Sequence, residues 1–188
     1  MKIKFCGVKN KNDILKAILC KANLIGFNFY KKSKRYINGN FFSLLKYIPS
    51  YIYKIALFVN EEYNVINKLK KYFDLLQFHG NESFIFCESF KKKYIKTIKI
   101  NKKIDFNVFY SSNNFFSFLI DKKSFQYGGS GNNFQIFKNL KKNFFISGGI
   151  DIFNINKIKR ISSSYYIDIC SGLEFKEIKN IKKMLKIN

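Results

Sequence analysis

The chain has 188 residues, enough for one domain with a sizeable core, and its 35 Lys and Arg against 12 Asp and Glu give a formal net charge of +23. Such a charge is typical of proteins that bind nucleic acid or anionic membranes. Here the lysines are scattered through every segment, and the excess of Lys, Asn, Ile, Phe and Tyr, which can all be encoded with A and U alone, indicates drift in base composition. Composition therefore argues against nucleic acid and against a membrane as partners.

Eight strand-like runs recur along the chain, and many are continuously apolar, as is typical of parallel strands covered on both faces. They are residues 2–6, 24–29, 53–59, 73–78, 94–99, 116–121, 144–148 and 165–170. Between the first two, Asn12 and Asp13 are candidates to cap a helix that carries Ile14, Ala17 and Ile18 on one face. Further helices are predicted for residues 61–72, 81–92, 133–142 and 151–163.

Eight strands alternating with helices predict an α/β fold, a single (β/α)8 TIM barrel with a parallel eight-stranded sheet over residues 1–188. Such barrels typically need about 250 residues, so the helices must be short. An open doubly wound sheet is the alternative architecture, but the first strand is not followed by a G-x-G-x-x-G fingerprint. No linker rich in Pro, Ser or Gly divides the sequence, which favours one domain.

The four cysteines are Cys6, Cys20, Cys87 and Cys170, and no two of them form a Cys-x-x-Cys pair. With only one histidine in the sequence, this pattern argues against a structural zinc site, and it is too sparse for a disulfide framework. No signal-peptide core opens the sequence, and no run approaches the roughly 18 apolar residues of a membrane span. We expect a reduced, cytoplasmic protein without a bound metal.

Three of the later strand-like runs lead into small, turn-forming residues. A loop without bulky side chains after a buried strand lets backbone N–H groups converge on an anion. Three such loops at similar spacing predict a phosphorylated small molecule as the substrate. The residues expected to bind the phosphate are Gly129, Ser130, Gly148, Gly149, Ser171 and Gly172.

Polar side chains stand at the carboxyl ends of several predicted strands, where the active site of a barrel lies. They include Cys6, Gln77 with His79, Asp121 and Asp168. A thiol and a carboxylate that face each other beside a phosphate-binding loop suit proton transfer on a sugar phosphate. The sequence therefore predicts an enzyme acting on a phosphorylated sugar.

The same segments resemble one enzyme family. Lys4–Asn10, which reads Lys-Phe-Cys-Gly-Val-Lys-Asn, is similar to the opening signature K-x-C-G-[IV]-x-[NR] of the phosphoribosylanthranilate isomerases of tryptophan biosynthesis. The resemblance continues through Gly26–Phe29, Lys32–Ile37, Leu57–Asn60, Leu76–Gly80 with Glu82, Leu119–Asp121, Tyr127–Gly131 with Phe134, Ile146–Gly149 and Asp168–Glu174. These blocks keep the family's order and cover nearly the whole chain.

The resemblance implies a (β/α)8 barrel and a cofactor-free Amadori rearrangement of N-(5′-phosphoribosyl)anthranilate to 1-(o-carboxyphenylamino)-1-deoxyribulose 5-phosphate. Asp121 matches the family's general acid, which protonates the ribose ring oxygen and opens the ring to a Schiff base. Cys6 matches the general base, which removes the C2′ proton. Arg35 resembles the residue that binds the anthranilate carboxylate, a role suited to a guanidinium group.

The remaining polar residues are expected to support the site. Gln77 and His79 would do so by hydrogen bonds rather than by proton transfer, and Asp168 would position the substrate or the catalytic thiol. We interpret the other cysteines as structural. The resemblance weakens after Phe134, where Gln135 and Ile136 replace the family's acidic residue and tryptophan, and again over residues 175–180. The proton-transfer and carboxylate-binding positions are all retained, so we expect activity.

Three alternatives remain open at this point. One is the related isomerase of histidine biosynthesis, against which Cys6 and Arg35 argue, because that family usually carries a carboxylate at the end of the first strand. Another is a nucleic-acid-binding protein that uses lysines and aromatic residues. The third is a decayed enzyme kept for association with other tryptophan-pathway enzymes.

Overall fold

The structure is a computed structural model that describes residues 1–39, 41–98, 106–121, 144–161 and 166–187. Its eight parallel strands close into a barrel in which each strand pairs with the next and β8 pairs with β1. The strands are β1 Lys2–Cys6, β2 Leu24–Asn28, β3 Tyr53–Phe58, β4 Leu75–Phe78, β5 Tyr94–Ile98, β6 Phe115–Asp121, β7 Phe145–Ser147 and β8 Tyr166–Ile169. The predicted barrel is confirmed, and each predicted strand is present with ends that differ by no more than two residues.

The helices between the strands are short. They are α1 Lys11–Leu19, α2 Phe41–Leu45, α3 Tyr63–Leu69 with a 3-10 turn Lys70–Tyr72, α4 Phe84–Glu88, α5 Phe106–Tyr110, α6 Ile155–Ile161 and α7 Ile181–Leu185. The predicted helix over 133–142 lies outside the described residues, and α2, α5 and α7 were not predicted. Across the described ranges, no helix has both the length and the apolar character to cross a membrane.

The start of α1 differs from the prediction. Asn10, not Asn12 or Asp13, caps the helix, because its side-chain oxygen accepts a hydrogen bond from the Asp13 backbone N–H at 2.9 Å. The Asp13 carboxylate in turn accepts the Lys9 backbone N–H at 3.0 Å. These two hydrogen bonds hold the loop that follows Cys6 at the end of β1.

Side chains of each strand alternate between the barrel interior and the helices. The interior holds a compact apolar cluster of its own, formed by Leu24, Ile55, Leu75, Ile95, Leu119 and Phe145. A larger cluster fills the space between the sheet and the helices and includes Phe5, Phe27, Phe58 and Phe78. Because every strand is covered on both faces, continuous apolar runs such as those in β3 and β6 are the expected sequence pattern.

The chain beyond β8 adds a small hairpin that was not predicted. A 3-10 turn, Ser171–Leu173, leads into β9 Glu174–Phe175 and β10 Ile178–Lys179, which pair antiparallel. The two residues that connect them, Lys176 and Glu177, have positive φ angles of 48° and 65°. The hairpin sets Glu174 opposite Lys179 beside the carboxyl end of β8.

The apolar interior of the barrel should dominate stability. Leu75, which is 1% exposed inside the barrel, leaves a cavity when replaced by alanine, so Leu75→Ala should lower the free energy of unfolding by about 2–5 kcal/mol. The matched control is Leu19→Ala, because Leu19 is 65% exposed and its loss should change stability by about 0.5 kcal/mol or less. Urea unfolding followed by circular dichroism measures both, and equal losses would contradict this description of the core.

Candidate active site

A cavity of about 480 Å³ opens at the carboxyl ends of the strands, within the size range of small-molecule sites. The sequence-predicted residues that line it are Cys6, Arg35, Gln77, His79, Asp121, Gly148, Gly149, Asp168 and Ser171. Cys170, interpreted from the sequence as structural, lines it as well. Gly129 and Ser130 lie outside the described residues.

The strand register explains why these side chains meet. Lys4 is opposite Asp168 on β8, and Asp121 on β6 is opposite Ser147 on β7. Alternation along each strand then turns Cys6, two residues after Lys4, to the same interior face. The apolar cluster fills the amino-terminal part of the interior, so the polar side chains form the layer above it.

Lys4 is an ionisable side chain fully buried under the cavity. Its Nζ donates to Asp168 Oδ2 at 2.9 Å and to Gln77 Oε1 at 2.7 Å. Burial alone would lower the pKa of Lys4, but Asp168 and the Cys6 thiolate outweigh burial and raise it, so Lys4 is a cation. Sequence reasoning missed Lys4, although its position two residues before Cys6 already placed both on one face of the strand.

The Cys6 thiol lies against this cation. A Cβ atom built on Gly26 would be 3.1 Å from Cys6 Sγ and 3.3 Å from Lys4 Nζ, so sulfur and ammonium pack on the same glycine. The hydrogen bond with the Cys170 thiol, followed by the charges of Lys4 and Lys179, lowers the pKa of Cys6 to about 7 despite burial. A substantial thiolate fraction is therefore present at neutral pH.

His79 connects the thiol side of the cavity with the carboxylate side. Its Nδ1 lies 3.0 Å from Thr97 Oγ1 and 3.3 Å from Gln77 Nε2, and its Nε2 lies 3.8 Å from Asp121 Oδ2. Burial lowers the pKa of His79 below its usual value, although Asp121 opposes that effect. The imidazole is therefore mainly neutral at pH 7 and fixes its neighbours by hydrogen bonds.

Arg35 reaches the cavity from the segment after β2. Its Nε donates to Glu174 Oε1 at 2.9 Å and its Nη2 to Glu174 Oε2 at 2.5 Å, while Lys179 Nζ donates to Glu174 Oε1 at 2.7 Å. Burial would raise the pKa of Glu174, but hydrogen bonds from Arg35 and Lys179 outweigh it and lower that pKa. Gly7, at φ +74°, gives the guanidinium stem room, because a Cβ there would be 2.6 Å from Arg35 Cδ.

Two glycine-containing loops, one after β7 and one after β8, lie at the cavity. Gly148 and Gly149, after β7, have φ angles of 88° and 65°, which side chains rarely tolerate. Gly172, expected from the sequence to bind the phosphate, is not among the cavity-lining residues; it packs on the β7 loop, where a Cβ would clash with the Ile150 carbonyl oxygen. Asn154 Nδ2 donates to the Gly149 carbonyl at 2.7 Å and so fixes the β7 loop. The β7 loop therefore presents glycine backbone to the cavity, and the loop after β8 contributes Ser171.

Among the described residues, no three His, Cys, Asp or Glu side chains are grouped so that they could hold a metal ion. The same part of the structure leaves two buried side-chain oxygens without a hydrogen-bond partner, Asp168 Oδ1 beside the cavity and the Tyr94 hydroxyl. Since an unpaired buried oxygen is costly, a donor on a bound molecule would stabilise it. The cavity is thus equipped to bind a hydroxyl group beside the Cys6 thiol.

Comparison with known proteins identifies the family. The family whose model matches residues 3–188 is described as N-(5′phosphoribosyl)anthranilate (PRA) isomerase. The N-(5′-phosphoribosyl)anthranilate isomerases of Staphylococcus epidermidis (strain ATCC 35984) and Staphylococcus aureus (strain MRSA252) are 32% and 34% identical to this chain, with all of it and 96% and 95% of their lengths aligned. The chain belongs to the N-(5′-phosphoribosyl)anthranilate isomerase family.

Solved structures of the family share the barrel. The phosphoribosyl anthranilate isomerase of Thermotoga maritima superposes with a TM-score of 0.84 at 26% identity, covering all of this chain and 96% of that one. A phosphoribosyl anthranilate isomerase in complex with reduced 1-(o-carboxyphenylamino)-1-deoxyribulose 5-phosphate superposes with a TM-score of 0.83 at 24% identity and the same coverage. The chain is therefore an isomerase of tryptophan biosynthesis with a TIM barrel, and the family expected from its motifs is confirmed.

Lys4 should control the ionisation of Cys6. Lys4→Met removes the cation and leaves Asp168 unpaired, and both changes raise the pKa of Cys6 above about 7, so the rate of Cys6 alkylation at neutral pH should fall. The pH dependence of iodoacetamide labelling, mapped to Cys6 by mass spectrometry, measures the shift. Lys54→Met is the matched control, because Lys54 pairs with Asp74 at the opposite end of the barrel. An unchanged Cys6 profile in Lys4→Met would contradict this assignment.

Proposed function

We propose that the chain converts N-(5′-phosphoribosyl)anthranilate to 1-(o-carboxyphenylamino)-1-deoxyribulose 5-phosphate, with Cys6 as general base and Asp121 as general acid. The observation that carries the proposal is the presence of a thiol with a lowered pKa and a carboxylate in one cavity bordered by glycine loops. The names of the relatives support the same reaction. The rearrangement is internal to the substrate, so it consumes no second reactant.

Asp121 begins the proposed reaction by giving a proton to the ribose ring oxygen, which opens the ring to a Schiff base between the sugar and the anthranilate nitrogen. Its carboxyl group stands at the end of β6, within 3.8 Å of His79 Nε2. This separation exceeds hydrogen-bond distance, so His79 is a near neighbour of the carboxyl group. Because burial keeps the imidazole mainly neutral, His79 does not oppose the transfer of the Asp121 proton.

Cys6 continues the reaction by removing the C2′ proton, which gives an enolamine that tautomerises to the ketone. A thiolate is needed for this step, and the cation of Lys4 and the hydrogen bond with Cys170 favour it. The proton taken up by Cys6 and the one lost by Asp121 balance over the cycle once solvent or product exchange restores both groups.

Three further contacts would hold the substrate in register with these groups. Backbone N–H groups of Gly148, Gly149 and Ser171 would bind the phosphate, since all three residues line the cavity and the two glycines carry no side chain there. Arg35 would bind the anthranilate carboxylate through the side of its guanidinium turned away from Glu174. Asp168 Oδ1 would accept a hydrogen bond from a ribose hydroxyl, which supports the positioning role expected for this residue.

The test is turnover of phosphoribosylanthranilate, generated in place and followed by the loss of its fluorescence. Cys6→Ala and Asp121→Asn should each reduce kcat by about 10²–10⁴-fold, the usual contribution of general acid–base catalysis. Wild-type kcat/KM should rise as the pH passes about 7, because the Cys6 thiolate is the reactive form.

Two matched controls separate catalysis from folding. Cys20→Ala changes a cysteine buried among the helices, and Asp74→Asn changes an aspartate at the amino-terminal end of β4, so both should keep kcat near the wild-type value. Wild-type protein that is folded yet gives no turnover would refute the proposed reaction. Activity that survives in Cys6→Ala or Asp121→Asn would refute the roles assigned to those residues.

A further inference from the structure

We propose that Cys6 and Cys170 are a peroxide-sensitive thiol pair, which closes into a reversible disulfide across the carboxyl ends of β1 and β8. Formation of the disulfide would stop the proposed isomerase reaction, because the Cys6 thiol that acts as the base is then oxidised. That loss of activity rests on the proposed function, whereas formation of the disulfide rests on geometry alone. All four cysteines are free thiols in the structure.

The register of the two strands brings the pair together. β1 and β8 are paired from Lys2 with Tyr166 through Phe5 with Ile169, and Cys6 and Cys170 are the residues that follow this last pair, Cys6 as the end of β1 and Cys170 directly after β8. Neighbouring strands lie about 4.8 Å apart, which is inside the Cα separation of about 4.4–6.8 Å that a disulfide spans. The spacing of the two strands is therefore compatible with a disulfide between these positions.

The two side chains also face the same way. Lys4 and Asp168 are ion-paired inside the barrel at 2.9 Å, and Cys6 and Cys170 each follow one of them by two positions. The Cys170 thiol donates to the backbone carbonyl oxygen of Cys6 at 3.3 Å. Both cysteines border the same cavity, so the two sulfurs face a common space.

The surroundings of the pair favour a reactive thiolate. Lys4 Nζ packs against Cys6, and Lys179 Nζ is 3.9 Å from Cys170 Sγ. Both sulfurs border the cavity, so a molecule as small as hydrogen peroxide reaches them. The other two thiols differ in both respects: Cys20 and Cys87 are fully buried beside helices, and burial raises the pKa of Cys87 to about 12.

The reaction consumes one hydrogen peroxide and releases two waters. The Cys6 thiolate attacks one peroxide oxygen, the O–O bond breaks, and the departing hydroxide takes a proton to become water, leaving a sulfenic acid on Cys6. Cys170 sulfur then attacks the sulfenic sulfur, the S–S bond forms, the S–O bond breaks, and hydroxide leaves with the Cys170 proton as the second water. Both thiols are oxidised and the peroxide is reduced.

The order of attack follows from the electrostatics. The hydrogen bond with Cys6 and its negative charge, together with burial, raise the pKa of Cys170 while Cys6 is a thiolate. A sulfenic acid on Cys6 is neutral, so Cys6 no longer raises the pKa of Cys170 by its charge. The positive charges of Lys179 and Arg35 then favour ionisation of the Cys170 thiol. Cys6 is thus the thiol that reacts with peroxide, and Cys170 is the thiol that resolves the product.

The test treats the full chain with a small excess of hydrogen peroxide and then with dithiothreitol. Free-thiol titration should fall from four to two, and the mass should drop by two hydrogen atoms. Peptide mapping should find a link between the segments that hold Cys6 and Cys170. Dithiothreitol should restore both thiols and the turnover. In Cys170→Ser the sulfenic acid has no resolving thiol, so peroxide should carry Cys6 to the sulfinic acid, which dithiothreitol does not reverse.

The double variant Cys20→Ala with Cys87→Ala is the matched control, and it should form the same link with two free thiols before oxidation and none after it. A link to Cys20 or Cys87, a wild-type chain that keeps four thiols, or equal recovery in wild type and Cys170→Ser would overturn the proposal. The thiol count and the peptide map need no substrate. They decide on the disulfide even if the chain shows no turnover, in which case only the proposed function fails.

Discussion

The buried ion pair between Lys4 and Asp168 joins the first strand of the barrel to the last, and the cavity chemistry depends on it. A charge so fully buried is tolerated only with a partner, and removing one member of such a pair typically costs about 3–5 kcal/mol. The same ammonium lies under Cys6 and binds Gln77. One interaction thus closes the sheet, stabilises the thiolate and fixes the chain of hydrogen bonds that runs to His79.

Lysines that pair with carboxylates show that the high lysine content of the chain is not confined to its surface. Within the described ranges, three lysines are buried inside or beside the barrel and bind carboxylates, so these lysines have a structural role. These pairs are Lys4 with Asp168, Lys96 with Glu82 and Lys179 with Glu174. Since the chain has only 12 acidic residues, a substantial share of them is committed to holding strands and hairpin together rather than to balancing surface charge.

The parts of the fold that could be predicted are those with a local signal. Continuous apolar runs revealed all eight strands, and strand ends revealed Cys6 and Asp121. The pairing of Glu174 with Arg35 was not predicted, because the hairpin that carries Glu174 turns at Lys176 and Glu177. These residue types give no turn signal in the sequence, although both have positive φ angles. The contacts of Lys4 and Cys170 at the cavity were not predicted for another reason. They depend on the pairing of β1 with β8, which exists only in the closed barrel.

The roles of Cys6, Asp121 and Arg35 are tested most directly by a crystal structure of this chain with reduced 1-(o-carboxyphenylamino)-1-deoxyribulose 5-phosphate bound. We expect the phosphate at the Gly148–Gly149 and Ser171 loops and the carboxylate at Arg35. The sugar carbon next to the amine-bearing carbon should lie beside Cys6 Sγ, with Asp121 on the other side of the sugar. A ligand bound in the reverse direction, or with its sugar out of reach of Cys6 and Asp121, would refute these roles.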